Sequence, residues 1–302
     1  MQAKISIALA SFNGGKYLEE QLDSIYRQTI CPYEVIVCDD KSTDNTFQIL
    51  EKYSKEKGLK YFINETPLGV IQNFSKAISL TNGDYISLAD QDDIWNSNKL
   101  EILLKTIKEI ESKDKPALVH ANSIILKDGE KQSNLLFPNK DNKGLNKYIF
   151  LPNGQGANMM FNRSLVKYIL PIPEGLYMHD YYFVIICEII GVRKYISEPL
   201  MQYRIHNNNT LGLNEKLLLK RIHRFWENNF SILSNKIFAT IEAILNNDKL
   251  KIETKNKIIL QHILELNNDK ISKMNKLINI WRYKFSNLSG RILMSCKIIL
   301  KK

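Results

Sequence analysis

"DYISLADQDDIW", residues Asp84 to Trp95, decides the reading of this chain. Tyr85 to Ala89 form a short apolar run with the composition of a buried strand. Where it ends, Asp90, Asp92 and Asp93 put three carboxylates into four positions. Like charges that close repel, and each resists ionising beside the others. A cluster of this kind needs a cation, or the N-terminal dipole of a helix, to offset it.

Working outward, strands and helices alternate with short connections. "KISIALA" (4–10) reads as a first strand ended by the turn "FNGG". "KYLEEQLDSIYRQT" (16–29) sets Tyr17, Leu18, Leu22, Ile25 and Tyr26 on one face at helical spacing. "YEVIVC" (33–38) predicts a second strand ending in Asp39 and Asp40, and "STDNTFQILEKYSKEKG" (42–58) a helix closing at Gly58. "LKYFIN" and "VIQNFSKAISLTNG" supply a third strand and a third helix before the opening stretch. Such alternation implies βαβ units and a largely parallel sheet, whose ligands bind beyond the carboxyl ends of the strands. Ser11 to Asn13, Asp39-Asp40 and Asp90 to Asp93 all stand at such ends, so they are expected to converge on one crevice.

After about Lys115 the alternation loosens. "ALVHANSIIL" reads as a strand, "KDGEKQSNLLFPNKDNKG" (127–144) as a long mobile loop, and "GANMMFNRSLVKYIL" as a strand-to-helix step. "HDYYFVIICEIIG" predicts a buried helix, and "VRKYISEPLMQYRIHNNNT" a strand with a polar loop. From Asn214 the pattern is helical, with 18 Lys and Arg against 7 acids, so the net charge of +10 belongs mostly to this tail. That distribution argues against nucleic-acid binding by the main domain. No run approaches the roughly 18–20 apolar residues of a membrane span, and the N-terminus reads as a strand rather than a signal peptide. Cys31, Cys38, Cys187 and Cys296 lack pairing or metal-type spacing, which fits reduced thiols in the cytoplasm. The expected organisation is a domain over 1–212, in halves of about 1–115 and 116–212, then a basic helical region over 213–302.

Six segments in order, "ALASFNGGKYLEEQLDSIYRQT", "VIVCDDKSTDNT", "GVIQNFSKAI", "GDYISLADQDDIW", "MHDYYF" and "YRIHNNN", resemble the inverting glycosyltransferases of family 2. Among these, the likeness is strongest to bacterial rhamnosyltransferases of surface polysaccharide synthesis, and it covers about residues 4–210. The resemblance implies a GT-A fold, an α/β architecture with a Rossmann-like, mostly parallel sheet flanked by helices, here carrying a helical extension. Phe12 stands where the family usually has Tyr, and Lys41 where it usually has Gly.

The resemblance further implies site roles. Asp90 and Asp92 would form the DxD motif, with Asp92 on a Mn²⁺ or Mg²⁺ ion and Asp90 facing the donor ribose or metal waters. Hard cations of this type favour carboxylate oxygens and bridge to diphosphate. Asp93 would cap the helix containing Lys99. Asp40 would accept from the imide N–H of uracil or thymine and Phe12 would pack on the base, favouring a UDP- or dTDP-sugar. Ala10, Ser11, Asn13, Asn73 and Arg204 complete the expected donor site. Asp180 matches the base that takes the acceptor's proton. His179 is read as an acceptor contact, a donor contact or a helix cap. His206 is read either as a metal-side ligand or as a plain loop residue. Asn158 is assigned to the acceptor or donor sugar, and Trp95 either to a sugar-facing wall or to the core.

"KLINIWRYKFSNLSGRILMSCKIILKK" interleaves aromatics with Lys and Arg. A basic amphipathic helix of this kind suits an anionic bilayer; the alternative is a hairpin packed on the catalytic domain or on a second copy of the chain. The expected enzyme is a metal-dependent transferase of rhamnose from dTDP-rhamnose to a lipid-linked saccharide, on the inner face of the plasma membrane. A UDP-hexose donor and a non-catalytic nucleotide-sugar-binding or membrane scaffold are the competing readings.

Overall fold

The computed structural model describes residues 3–137, 141–206 and 233–300. It divides into two compact units, each considered separately: one of residues 1–141, 154–174 and 178–205, the other of residues 142–153, 175–177 and 206–302. The expected boundary near Gly212 lies outside the described residues.

Nine strands of the first unit form one sheet, in the order β3-β2-β1-β4-β8-β6-β9-β5, with β7 paired to β6. Strands β1 (Ile5–Ser11), β2 (Glu34–Asp39), β3 (Lys60–Ile63) and β4 (Tyr85–Asp90) are mutually parallel. Strands β1 and β2 and most of β4 are buried, because helices cover both faces of a parallel sheet. Their crossovers are α1 (Leu18–Tyr26), α2 (Thr46–Lys57) and α3 (Val70–Ser79). Helix α2 ends as expected, with Gly58 in the left-handed conformation at φ 70°.

Two strands break the simple pattern. β8 (Met159–Asn162) inserts antiparallel between β4 and β6 (Ala117–Lys127), and the long β9 (Val192–Ile205) runs parallel to β6. The short β5 (Ile94–Trp95) adds antiparallel to β9. Between them lie α4 (Lys99–Ile110), α6 (Arg163–Ile169) and α7 (His179–Ile190). The expectation of a loop over 127–144 is corrected at its start. Asp128 (φ 51°) and Gly129 (φ 83°) make a tight turn, and β7 (Glu130–Leu135) returns along β6.

Among its described residues the second unit contains α5 (Leu145–Tyr148), α8 (Asn235–Leu245), α9 (Thr254–Glu265), α10 (Lys273–Arg282) and α11 (Leu288–Leu300). The distant 142–153 segment belongs to it through stacked Phe150 and Phe285 (5.4 Å) and an Asn146 Nδ2 bond to the Tyr283 carbonyl (2.8 Å).

Candidate functional site

Register brings the expected acids to one rim. Ser11 lies opposite Asp39 across β1 and β2, and Ala10, partly exposed, lies opposite Asp90 across β1 and β4. Asp39 is fully employed, accepting from Ser11 Oγ (2.7 Å), Ser42 N (2.8 Å) and Ser42 Oγ (2.6 Å). Asn13 locks the same loop, donating its N–H to Ser42 Oγ (2.7 Å) and accepting from Thr43 N (2.8 Å) through Oδ1. Through these side-chain bonds Ser11 and Asn13 tie the end of β1 to the end of β2 and the loop after it. Lys41 holds the left-handed φ of 66° in this loop, a conformation that suits glycine.

Asp40, 6% exposed, accepts from Asn64 Nδ2 (2.8 Å), Leu68 N (2.6 Å) and Gly69 N (2.8 Å). It thereby holds the turn that starts α3. Asn73 lies beneath, bonding the Cys38 carbonyl through Nδ2 (2.8 Å) and Asn64 through Oδ1 (2.9 Å). The side chain of Asn73, an expected donor-site residue, is buried, and both ends of its amide are engaged within the protein. Phe12 and Leu68, 53% and 41% exposed, offer apolar surface at this end.

The acidic loop is clasped to the first strand. Gln91 accepts from Phe12 N (2.8 Å) and donates to the Phe12 carbonyl (2.9 Å). Burial, then Asp92 and Asp180, push the Asp90 carboxyl up to about 7, with Lys99 opposing. Asp90 thus feels the negative charge of both Asp92 and Asp180. Asp93 is fully buried and also raised well above the carboxylate range, first by burial and then by Asp92 and Asp90. It does not cap α4, which starts from Asn98; its Oδ1 accepts from Arg204 N (3.2 Å), and Oδ2 has no hydrogen-bond partner among the described residues.

Arg204 is anchored from several sides. Its guanidinium bonds Glu20 (2.5 Å) and the Asp92 carbonyl (2.8 Å) and lies over the Tyr17 ring at 4.6 Å. It straps α1 to the acidic loop, where a phosphate contact was anticipated. His206, the first residue after β9, belongs to the second unit.

Asp180 stands in the first turn of α7, its Oδ2 accepting from Gly156 N (3.0 Å) and its Oδ1 from Tyr181 N (2.7 Å). Two backbone donors fix the orientation of this carboxylate. A side chain at Gly156 would not fit, since a Cβ there would meet His179 Nε2 at 2.9 Å. His179 is buried and stacked on Phe74 (4.2 Å), burial holds its pKa below the usual value, and neither ring nitrogen has a partner among the described residues. Asn158 is buried too, its Nδ2 on the Asn122 carbonyl (2.5 Å) and its Oδ1 unpartnered among the described residues. Trp95 resolves to core at 3% exposure, so no sugar-facing wall forms there.

Lys99 was not anticipated. Fully buried, it donates to the Ala157 carbonyl (2.5 Å) and sits 3.6 Å above the Trp95 ring. Burial lowers its pKa well below the ordinary lysine value, while Asp93 and Asp90 oppose that shift. The signal was present in the sequence: Lys99 precedes Leu103 by four and shares its buried face. Among the described residues, no three His, Cys, Asp or Glu side chains converge to hold a metal by themselves. Nor is any helix among them long and apolar enough to cross a membrane.

The comparisons with known proteins agree with this architecture. The family model described as glycosyl transferase family 2 matches residues 6–170. A dTDP-rhamnosyl transferase, RfbG, of Shigella flexneri is 28% identical over 224 residues, 68% of this chain and 74% of its own. An Escherichia coli protein described as UDP-Glc:alpha-D-GlcNAc-diphosphoundecaprenol beta-1,3-glucosyltransferase WfgD is 35% identical over 99 residues, 32% of this chain and 38% of its own. The structure of the mannosyltransferase PcManGT of Pyrobaculum calidifontis, solved with GDP-Man and Mn²⁺, superposes with a TM-score of 0.58 at 16% identity. That superposition covers 99% of this chain and 86% of the other, and it speaks for a shared GT-A fold.

Proposed function

The chain belongs to glycosyl transferase family 2, and from that premise we propose a specific reaction: inverting transfer of a sugar, rhamnose from dTDP-rhamnose favoured, to a lipid-linked saccharide in surface polysaccharide synthesis on the cytoplasmic side. The observation that carries it is the placement of Asp180. Its carboxylate is oriented by two backbone amides, and its charge contributes to raising the pKa of Asp90.

In the proposed step, an acceptor hydroxyl oxygen attacks the anomeric carbon from the face opposite the diphosphate. Asp180 takes the hydroxyl proton as the new C–O bond forms. The bond to the diphosphate breaks, and the leaving oxygen keeps the electron pair. One displacement inverts the stereocentre and uses a single base, unlike the carboxylate pair of a retaining hydrolase. Phe12 and Leu68 would flank the base of the nucleotide. Asp40 would meet the imide N–H through the unshared capacity of Oδ2, which holds one internal bond against two on Oδ1.

A divalent cation fits the acidic loop by the chemistry of its donors. Mg²⁺ and Mn²⁺ sites commonly use one or two carboxylates and complete their shell with substrate phosphate and water. Asp92 and Asp90 would supply those carboxylates, and Asp93 beside them keeps one buried oxygen without a hydrogen-bond partner among the described residues. The ion would neutralise charge developing on the departing diphosphate. The rhamnosyl relative supports the dTDP donor. A UDP-hexose is the second reading, favoured by the glucosyltransferase relative, whose name also carries a polyprenyl diphosphate acceptor. Asp40 does not separate them, because uracil and thymine present the same imide.

Thermal-shift screening of UDP-, dTDP- and GDP-sugars with Mn²⁺ identifies the donor, since ligand binding raises folded-state stability. Nucleotide release with the matched donor and acceptor then tests the step. Turnover is expected to vanish with a chelator and to collapse in Asp180→Asn. Wild-type turnover in that variant refutes the assignment of Asp180, and tight donor binding without any turnover in the native protein supports the scaffold reading instead.

A further inference from the structure

Helices α10 and α11 of the second unit are amphipathic in an unusual way. Their inner faces are ordinary core, with Ile280, Met294 and Ile298 buried, as is Phe285 in the connection between them. Met274, Ile278 and Trp281 form a second, exposed stripe on α10 at helical spacing, and Leu288, Ile292 and Ile299 are likewise exposed on α11. Trp281 Nε1 bonds Ser295 Oγ (3.2 Å) and the Arg291 guanidinium lies 5.1 Å from the Trp281 ring, which joins the two helices into one surface. Soluble proteins seldom expose contiguous apolar patches without a use for them.

Charge says what the surface meets. From Lys270 to Lys302 the chain has nine Lys and Arg and no Asp or Glu; Lys276 is buried, whereas Lys270, Lys273, Arg282 and Lys284 are exposed. A second copy of the chain would oppose cation to cation across such a face. We infer that the exposed α10–α11 face docks on an anionic lipid bilayer, with its apolar side chains in the interface and its basic residues among the headgroups. Each basic residue near an anionic surface adds attraction that salt weakens, while the apolar stripe adds attraction that salt spares. Trp281 is the side chain best suited to the boundary, having an apolar ring and a polar N–H. The inference is independent of the proposed reaction.

The test is co-sedimentation of the full chain with vesicles of phosphatidylcholine alone or with about 30% phosphatidylglycerol. Binding is expected to be at least about tenfold stronger to the anionic vesicles and to weaken in about 0.5 M NaCl. The pair Ile278→Glu and Ile292→Glu, on exposed positions, should abolish it at unchanged melting temperature and unchanged donor binding. Lys273→Glu with Arg282→Glu should reduce binding to anionic vesicles more than to neutral ones. Equal binding to both vesicle types, no binding, or retention of binding by Ile278→Glu and Ile292→Glu overturns the inference. So does a native dimer that these two substitutions dissociate while leaving vesicle binding intact, since the face would then be a protein interface.

Discussion

The two sides of the sheet rim are built on opposite terms. Around β1 and β2, Asp39 and Asp40 each receive three internal hydrogen bonds, and Asn13, Asn64 and Asn73 complete a closed network. Around β4 and the start of α7, Asp93 Oδ2, Asn158 Oδ1, Gln155 Nε2 and both nitrogens of His179 are buried without a partner among the described residues. Native interiors pair nearly all such atoms; under the proposed assignment, the partners of these arrive with ligand. One side is a finished cradle. The other has stored electrostatic cost in exchange for reactivity.

The contrast can be broken most decisively at Asp180. Asp180→Asn should lower kcat by about 10²–10⁴-fold, with donor KM and melting temperature little changed. A large loss of stability instead would show that the reactive side is structural after all. Next comes Asp40→Ala, which strands three donors at the finished side and should cost on the order of 3 kcal/mol in urea unfolding. A negligible change there would mean that the network is ornament.

A further test is the pH response of Asp90. Its folded value of about 7 lies above the ordinary carboxylate value near 4, so its contribution to stability is full below about 4 and is lost as pH rises through about 7. In buffer free of donor and divalent metal, Asp90→Asn should therefore gain on the native protein between those pH values and hold a constant advantage above them. Thermal unfolding across that range reads it directly; a flat difference would remove the claim of stored charge. The smallest effect is at Lys41, where glycine relieves the left-handed backbone and should add up to about 1 kcal/mol.

The first 110 residues were largely legible in sequence because each element there announces itself locally. β1 and β2 are short apolar runs, α2 ends on a glycine, and acids follow the strands. Hydrogen-bond direction was not legible, since it depends on which backbone amides a loop presents. Asn73 and Arg204 are polar residues beside the site, and sequence alone does not tell a contact from a strut. Lys99 was hidden for the opposite reason: its position on the apolar stripe of α4 is visible, but its burial depends on Ala157, 58 residues later. β7 was missed although Asp128-Gly129 is a hairpin signal, because the returning strand is polar and exposed and lacks alternation.

Strand β8 enters between β4 and β6 against their direction, so its leading end stands toward the end where β4 finishes. Gly156 and Asn158 thus reach the rim from the opposite chain polarity to Asp90. Under the proposed assignment, evolution can rewrite the approach to β8 without altering the four parallel strands that grip the nucleotide. Donor choice and acceptor choice become separately inheritable traits, and a single scaffold can serve a repertoire of surface sugars.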